Sequence, residues 1–92
     1  MVRISISYFS EQQVTALIEG RILNDCIEQL KDTCEELLAD RRRLRLDLSG
    51  VSFISQKAAR ALRHFSEREV ALINCSAFVA EQLKVKKGEK QA

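Results

Sequence analysis

The sequence has only three glycines, Gly20, Gly50 and Gly88, which leaves no place for a dinucleotide fingerprint or a phosphate-cradling loop. Both devices need closely spaced glycines so that backbone can approach a phosphate, and nucleotide chemistry of those kinds is excluded. There is one histidine, His64, so a two-histidine zinc helix cannot be written. Cys26, Cys34 and Cys75 are spaced too widely for a clustered metal site. No metal and no other cofactor is expected. No uninterrupted apolar run is longer than that of Val70 to Ile73, far short of the roughly 20 residues of a membrane-spanning helix, so membrane insertion is not expected. An excess of one charge is lacking as well. Fifteen basic residues against 13 acidic ones give +2 over 92 residues, too balanced to announce a nucleic-acid protein or a polyacid binder. An odd cysteine count with no signal peptide ahead of it fits a reducing cytosol better than a disulfide framework, and a cytoplasmic location is the expectation.

What is present is enough for one small globular domain. Hydrophobic residues make up 46% of the chain and charged ones 30%, above the apolar content of disordered sequences and within reach of a modest core. Val2, Ile4, Ile6 and Tyr8 alternate with Arg3, Ser5 and Ser7, the period of a strand with one wet face. After a polar break at Ser10, Glu11 and Gln12, the stretch Val14 to Ile18 is expected to pair with it as a hairpin before Gly20. Leu23, Cys26, Ile27, Leu30, Cys34, Leu37 and Leu38 then recur at helical spacing, opposite Glu28, Lys31, Asp32 and Glu35, with Asn24 as the expected cap.

Beyond the basic corner Arg41, Arg42 and Arg43, a second half-wet strand is read from Leu44, Leu46 and Leu48 alternating with Arg45 and Asp47, ending in a turn at Ser49 and Gly50. Val51, Phe53 and Ile54 lead to Ser55, an expected N-cap, and Ala58, Ala61, Leu62 and Phe65 form the next helical stripe. Val70 to Ile73 reads as a short buried strand, and Ser76 as the cap of a third helix carrying Phe78, Val79 and Leu83. The resulting order is β-β-α-β-α-β-α. It implies an α/β fold in a single small domain over residues 1–84, a mixed four-stranded sheet with helices mainly on one face. Residues 85–92 are expected to be a flexible charged tail. From Lys84 onward four lysines and one glutamate supply +3, so residues 1–83 come to −1 and the folded body is nearly neutral.

The stretch Leu46 to Leu62, LDLSGVSFISQKAARAL, resembles the STAS family, named for sulfate transporters and anti-sigma factor antagonists, in which a strand ends in a similar D-L-S-G-V-x-F phrase before a short loop and a helix. Ala71 to Leu83, ALINCSAFVAEQL, is similar to the next strand and helix of bacterial members. The order of elements also matches, except that the last strand and helix of longer members have no counterpart, a shortened C-terminus. The resemblance implies a non-enzymatic protein-binding module of signal transduction and transcription regulation. Its partner would be an anti-sigma factor or other kinase-like regulator, and phosphorylation of a serine or threonine at the start of the second helix would break the complex. Small members also serve as soluble accessory subunits of membrane transporter ATPases, which is the alternative. Aligned from Phe53, this sequence places Ser55 at the family aspartate, Gln56 at the first hydroxyl position, Lys57 at the usual phosphorylated position and Ala58 at the glycine. Lys57 neither accepts phosphate nor mimics it, and Ser55 is the remaining candidate for modification.

The partner-binding residues expected from this likeness are Ser52, Ser55, Gln56, Lys57, Arg60, Arg63 and His64. The basic residues among them read equally as the solvated face of an amphipathic helix. Cys26 and Cys34 fit core packing, and Asp47 is read as facing water, as meeting Arg45 or Lys57, or as an acceptor for backbone donors. The run Arg41 to Arg43 is a solvated corner or a patch that steers an acidic partner. Nucleic-acid binding is not expected, because Tyr8 is the only aromatic read into the regular strand registers and a single-strand reader needs stacking platforms. A homodimer is left open.

Overall fold

The computed structural model describes residues 2–84; the tail expected at 85–92 lies outside the described residues. Four strands form one sheet in the order β1-β2-β3-β4. Strand β1 (Val2–Phe9) runs antiparallel to β2 (Gln13–Ile22), and β2 is parallel to β3 (Arg43–Ile54), which is parallel to β4 (Ala71–Ile73). The expected hairpin forms. At its turn Ser10 N–H donates to Gln13 O at 2.8 Å, and the Ser10 hydroxyl oxygen accepts from Gln13 N at 3.1 Å. The parallel pairs require crossovers, and helices α1 (Ile27–Ala39) and α2 (Gln56–Glu67) supply them, with α3 (Ala77–Leu83) closing the described chain.

The core is a single cluster in which Ala16, Ile18, Leu46 and Leu48 of the central strands meet Leu30 and Cys34 of α1, Ala58, Leu62 and Phe65 of α2 and Val79 of α3. This is the mixed-sheet α/β architecture read from the hydrophobic periods. Cys26 and Cys34 are both buried in it, and burial pushes the Cys34 thiol up to about 12.

Several local expectations are corrected. Ser49 and Gly50 are not a turn, because β3 continues through them for 12 residues. The register with β2 slips between the pairs Leu17↔Asp47 and Glu19↔Gly50, so Leu48 and Ser49 together oppose Ile18. This is a β-bulge, where an extra residue bends the strand without ending it. Glycine is required there by close approach: a Cβ on Gly50 would stand 2.7 Å from the Glu19 side chain. Beyond the bulge Val51 and Ile54 return to the core.

Strand β1 has the expected alternation but not the expected burial. Val2 is buried and Ile4 half-buried, while Ile6 is 50% and Tyr8 53% exposed: among the described residues β1 is an edge strand, and its register shifts between Ile6 and Tyr8. Strand β4 is likewise a half-buried edge strand, with Ala71 exposed, and not a fully buried one. Asn24 does not cap α1. It opens a short 3-10 turn, Asn24–Cys26, and α1 starts behind Cys26 with no side-chain cap. The Asn24 side chain is used elsewhere.

Candidate docking site at the start of α2

The end of β3 and the first turns of α2 form the site. Ser55 separates them in extended conformation, and its hydroxyl oxygen accepts from Ala58 N at 3.2 Å, the N-cap the sequence announced. The same hydroxyl donates to Asn24 Oδ1 at 2.8 Å, tying the start of α2 to the turn that precedes α1. The Ser55 N–H donates to Ile22 O at 2.9 Å, so the backbone at this corner is held by β2 as well.

The other side of β3 is held by a side chain. Strand β4 pairs with β3 only from Arg45 to Asp47, which leaves the rest of β3 longer than its neighbour. Gln82 of α3 takes over at the tip: its Oε1 accepts from Ile54 N at 2.9 Å and its Nε2 donates to Ile54 O at 2.8 Å. An amide side chain thus replaces a strand for one residue, satisfying both backbone groups. Nothing in the local sequence around residue 82 signals this contact, because it spans 28 positions.

Around this fixed backbone the expected site residues divide. Ser52, Gln56, Lys57, Arg60 and His64 are exposed, and Ser55 is half-buried. Among the described residues neither Lys57 nor Arg60 makes an ion pair. The His64 ring lies edge-on to Phe65, with centroids 5.9 Å apart. Arg63 stands apart from the basic row, since it is half-buried and its Nη1 donates to Leu83 O at 3.1 Å, closing the end of α3. A residue pair that sequence reasoning missed joins the site: Phe53, 36% exposed, and Phe78, 57% exposed, lie with ring centroids 6.4 Å apart beside the Ser55 corner. Their shared alternation and helix positions were visible, but not that β3 and α3 bring them together.

A shallow groove of about 440 Å³ runs between α1 and α2, lined by Ile27, Lys31, Lys57, Arg60, Ala61 and His64. Glu35 of α1 is engaged beyond it by Arg68, Nη1 to Oε2 at 2.6 Å and Nη2 to Oε1 at 3.2 Å, and this guanidinium holds the Glu35 carboxyl below the usual carboxylate range.

The remaining candidates have structural partners. Asp47 accepts from Ser49 N at 3.0 Å, and that bond, the largest of several influences, holds its carboxyl below the ordinary range. Of the readings open to it, acceptor for a backbone donor is the dominant one, at the bulge, and Arg45 adds a smaller attraction to the half-buried carboxylate. In the arginine corner, Arg41 adopts φ 62°, and Arg42 lies 4.4 Å from the Phe9 ring centroid while its Nε donates to Ser10 O at 2.8 Å. Arg42 therefore packs the hairpin turn and is not free to steer a partner. The count of strand aromatics is also corrected: Phe9 and Phe53 lie in strands beside Tyr8, so the scarcity of stacking platforms is smaller than the periodicity suggested. Among the described residues no group of three or more His, Cys, Asp or Glu side chains is placed to hold a metal ion, and no helix is long and apolar enough to cross a membrane.

No family model matches the sequence, and no curated protein is significantly similar to it. Solved structures do match. The anti-sigma factor antagonist SpoIIAA in its unphosphorylated form superposes with a TM-score of 0.67 at 10% identity, covering 97% of this chain and 94% of that one. An uncharacterized protein of the DUF3478 family from Shewanella loihica, with a SpoIIAA-like fold, gives 0.56 at 17% identity, covering 85% and 71%. A part of Mglu gives 0.58 at 19% identity, with 74% of this chain aligned to 18% of that one. At these identities the likeness speaks to backbone architecture and not to chemistry. The four-stranded mixed sheet with its three helices is the fold of an anti-sigma factor antagonist.

Proposed function

We propose that this chain is a non-enzymatic protein-interaction module that binds a regulatory partner through the end of β3 and the first turns of α2, from Ser52 to His64. The observation that carries the reading is a rigid backbone presenting free side chains. Ser55 is fixed by Ala58, Asn24 and Ile22, and Ile54 by Gln82, while Ser52, Phe53, Gln56, Lys57 and Arg60 around them are exposed. A surface ordered before it meets its partner loses little side-chain and loop freedom on binding, which favours docking. The SpoIIAA-like fold supports the same assignment, since SpoIIAA is an anti-sigma factor antagonist.

Control at this surface works by occupancy. Lys57 stands at the position where the family resemblance puts the phosphorylated hydroxyl, and a phosphate on Ser55 would replace the hydroxyl hydrogen that is donated to Asn24 Oδ1.

The test is to purify the proteins encoded beside this gene and titrate each against the chain. Tight binding by a kinase-like regulator, lost in Gln56→Trp and retained in Tyr8→Ser, is the expected result. Tight binding by a transporter ATPase at the same residues would keep the surface and change the partner. Binding that ignores Gln56→Trp would place the interface elsewhere and overturn the reading.

A further inference from the structure

The groove between α1 and α2 has a chemistry that the fold itself does not need. Its floor is apolar and small, Ile27 from α1 and Ala61 from α2, and its walls carry Lys31, Lys57, Arg60 and His64 with no acidic side chain among the lining residues. The charge is uneven. The α2 wall is basic throughout, with Lys57, Arg60 and His64 one turn apart along the exposed face. On α1 only Lys31 lines the groove, and outside the lining that helix also carries exposed Glu28 and Asp32, while Glu35 is taken up by Arg68. A folded body that is nearly neutral overall thus concentrates unpaired positive charge along one side of one groove.

From this we infer that the groove receives an acidic segment of the protein partner, lying along α2 with its carboxylates toward Lys57 and Arg60 and a small apolar side chain over Ile27 and Ala61. The inference rests on the proposed function and names the chemistry of the partner's contact. Charge complementarity selects that occupant: a basic segment would meet the α2 wall with like charge, and a fully apolar one would leave three cations desolvated without partners. Nucleic acid is also acidic, but it needs a basic face broader than the groove, and beyond the lining residues α1 carries exposed Glu28 and Asp32, which would repel a second line of phosphates.

Fluorescence anisotropy with a labelled Glu/Leu-rich helical peptide tests this directly, with a Lys/Leu-rich peptide and a DNA duplex as competitors for the same assignment. The wild-type chain is expected to bind the acidic peptide, to bind it more weakly as salt rises, and to lose roughly tenfold or more in Lys57→Glu/Arg60→Glu. The reversal of exposed cations outside the groove, Arg3→Glu/Arg21→Glu, is expected to change little. Lys57 and Arg60 are exposed and make no ion pair among the described residues, so the variant should fold; the neutral pair Lys57→Gln/Arg60→Gln, with an unchanged urea midpoint, guards against an unfolded control. Equal loss from both reversals, or tighter binding of the DNA duplex, overturns the inference. So does a natural partner that binds at Gln56 yet is indifferent to the Lys57 and Arg60 reversal, although the interaction module would then still stand. Peptide binding in the groove by a chain whose natural partner docks away from Ser52 to His64 would instead sink the proposed function alone.

Discussion

Helices α1 and α2 are nearly equal in length, 13 and 12 residues, and both cross from one parallel strand to the next, yet they are held in opposite ways. In α1 only Leu30 and Cys34 are buried, and its start has no side-chain cap; Ile27, Leu37 and Leu38 cover the core from its margin. In α2 five residues are buried, three of them alanines, so the helix lies close against its neighbours, and it is pinned at both ends. Ser55 and Asn24 hold its start, while Arg68 at its end spans to Glu35 and lies 5.5 Å from the Phe65 ring centroid. The helix that is fixed most firmly is the one that lays the exposed basic row Lys57, Arg60 and His64 along the groove. Helix α2 is thus the platform and α1 the wall beside it.

The comparison breaks most visibly in the core. Phe65→Ala removes the largest fully buried side chain of α2 and should cost about 3 to 5 kcal/mol, whereas Leu37→Ala on α1, half-buried, should cost about 1 kcal/mol, in proportion to the apolar area it covers. Urea unfolding of the two variants measures the contrast, and similar losses would erase it. Next comes the cap. Ser55→Ala should cost about 1 kcal/mol, and a double-mutant cycle with Asn24→Ala should show the two to be coupled, because one hydroxyl serves both bonds.

The start of α2 was legible in the sequence, because an N-cap serine before a helical stripe is a local signal and Ser55 obeys it. So was the heart of the sheet, where Leu44, Leu46 and Leu48 alternate with polar residues. The bulge was not, since Ser49 and Gly50 have the composition of a turn and only the register against Glu19 shows that the strand continues. Burial of β1 was not legible either: alternation fixes which side chains share a face, but whether a helix covers that face is decided by the layer above it. The clamp of Gln82 on Ile54 and the loss of Arg63 to the end of α3 are contacts between distant positions, and neither residue type announces them.

Two smaller effects sharpen the contrast. Although α1 buries less than α2, it closes fully over Cys34, whose thiol burial pushes up to about 12, so a thiol reagent at neutral pH should modify half-buried Cys75 well before Cys34 in the native protein. Prompt labelling of Cys34 would show that α1 opens readily. The smallest effect concerns the bulge that leads to α2. The Ser49 N–H lowers the folded-state pKa of Asp47, so this group contributes stability that is complete above the ordinary carboxylate value of about 4 and is lost as pH falls through the lower folded value. Asp47→Asn should therefore flatten the fall of the urea midpoint as pH drops below about 4, and an unchanged slope would show that the Asp47 carboxylate contributes no stability there.

Docking of a partner on the fixed start of α2 is tested by amide chemical-shift mapping of the labelled chain as a regulator encoded beside its gene is added. The perturbed amides are expected to cluster from Ser52 to His64 and along the facing edge of α1 near Ile27 and Lys31. Perturbations confined to β1, at Ile6, Tyr8 and Phe9, with α2 unmoved, would contradict it.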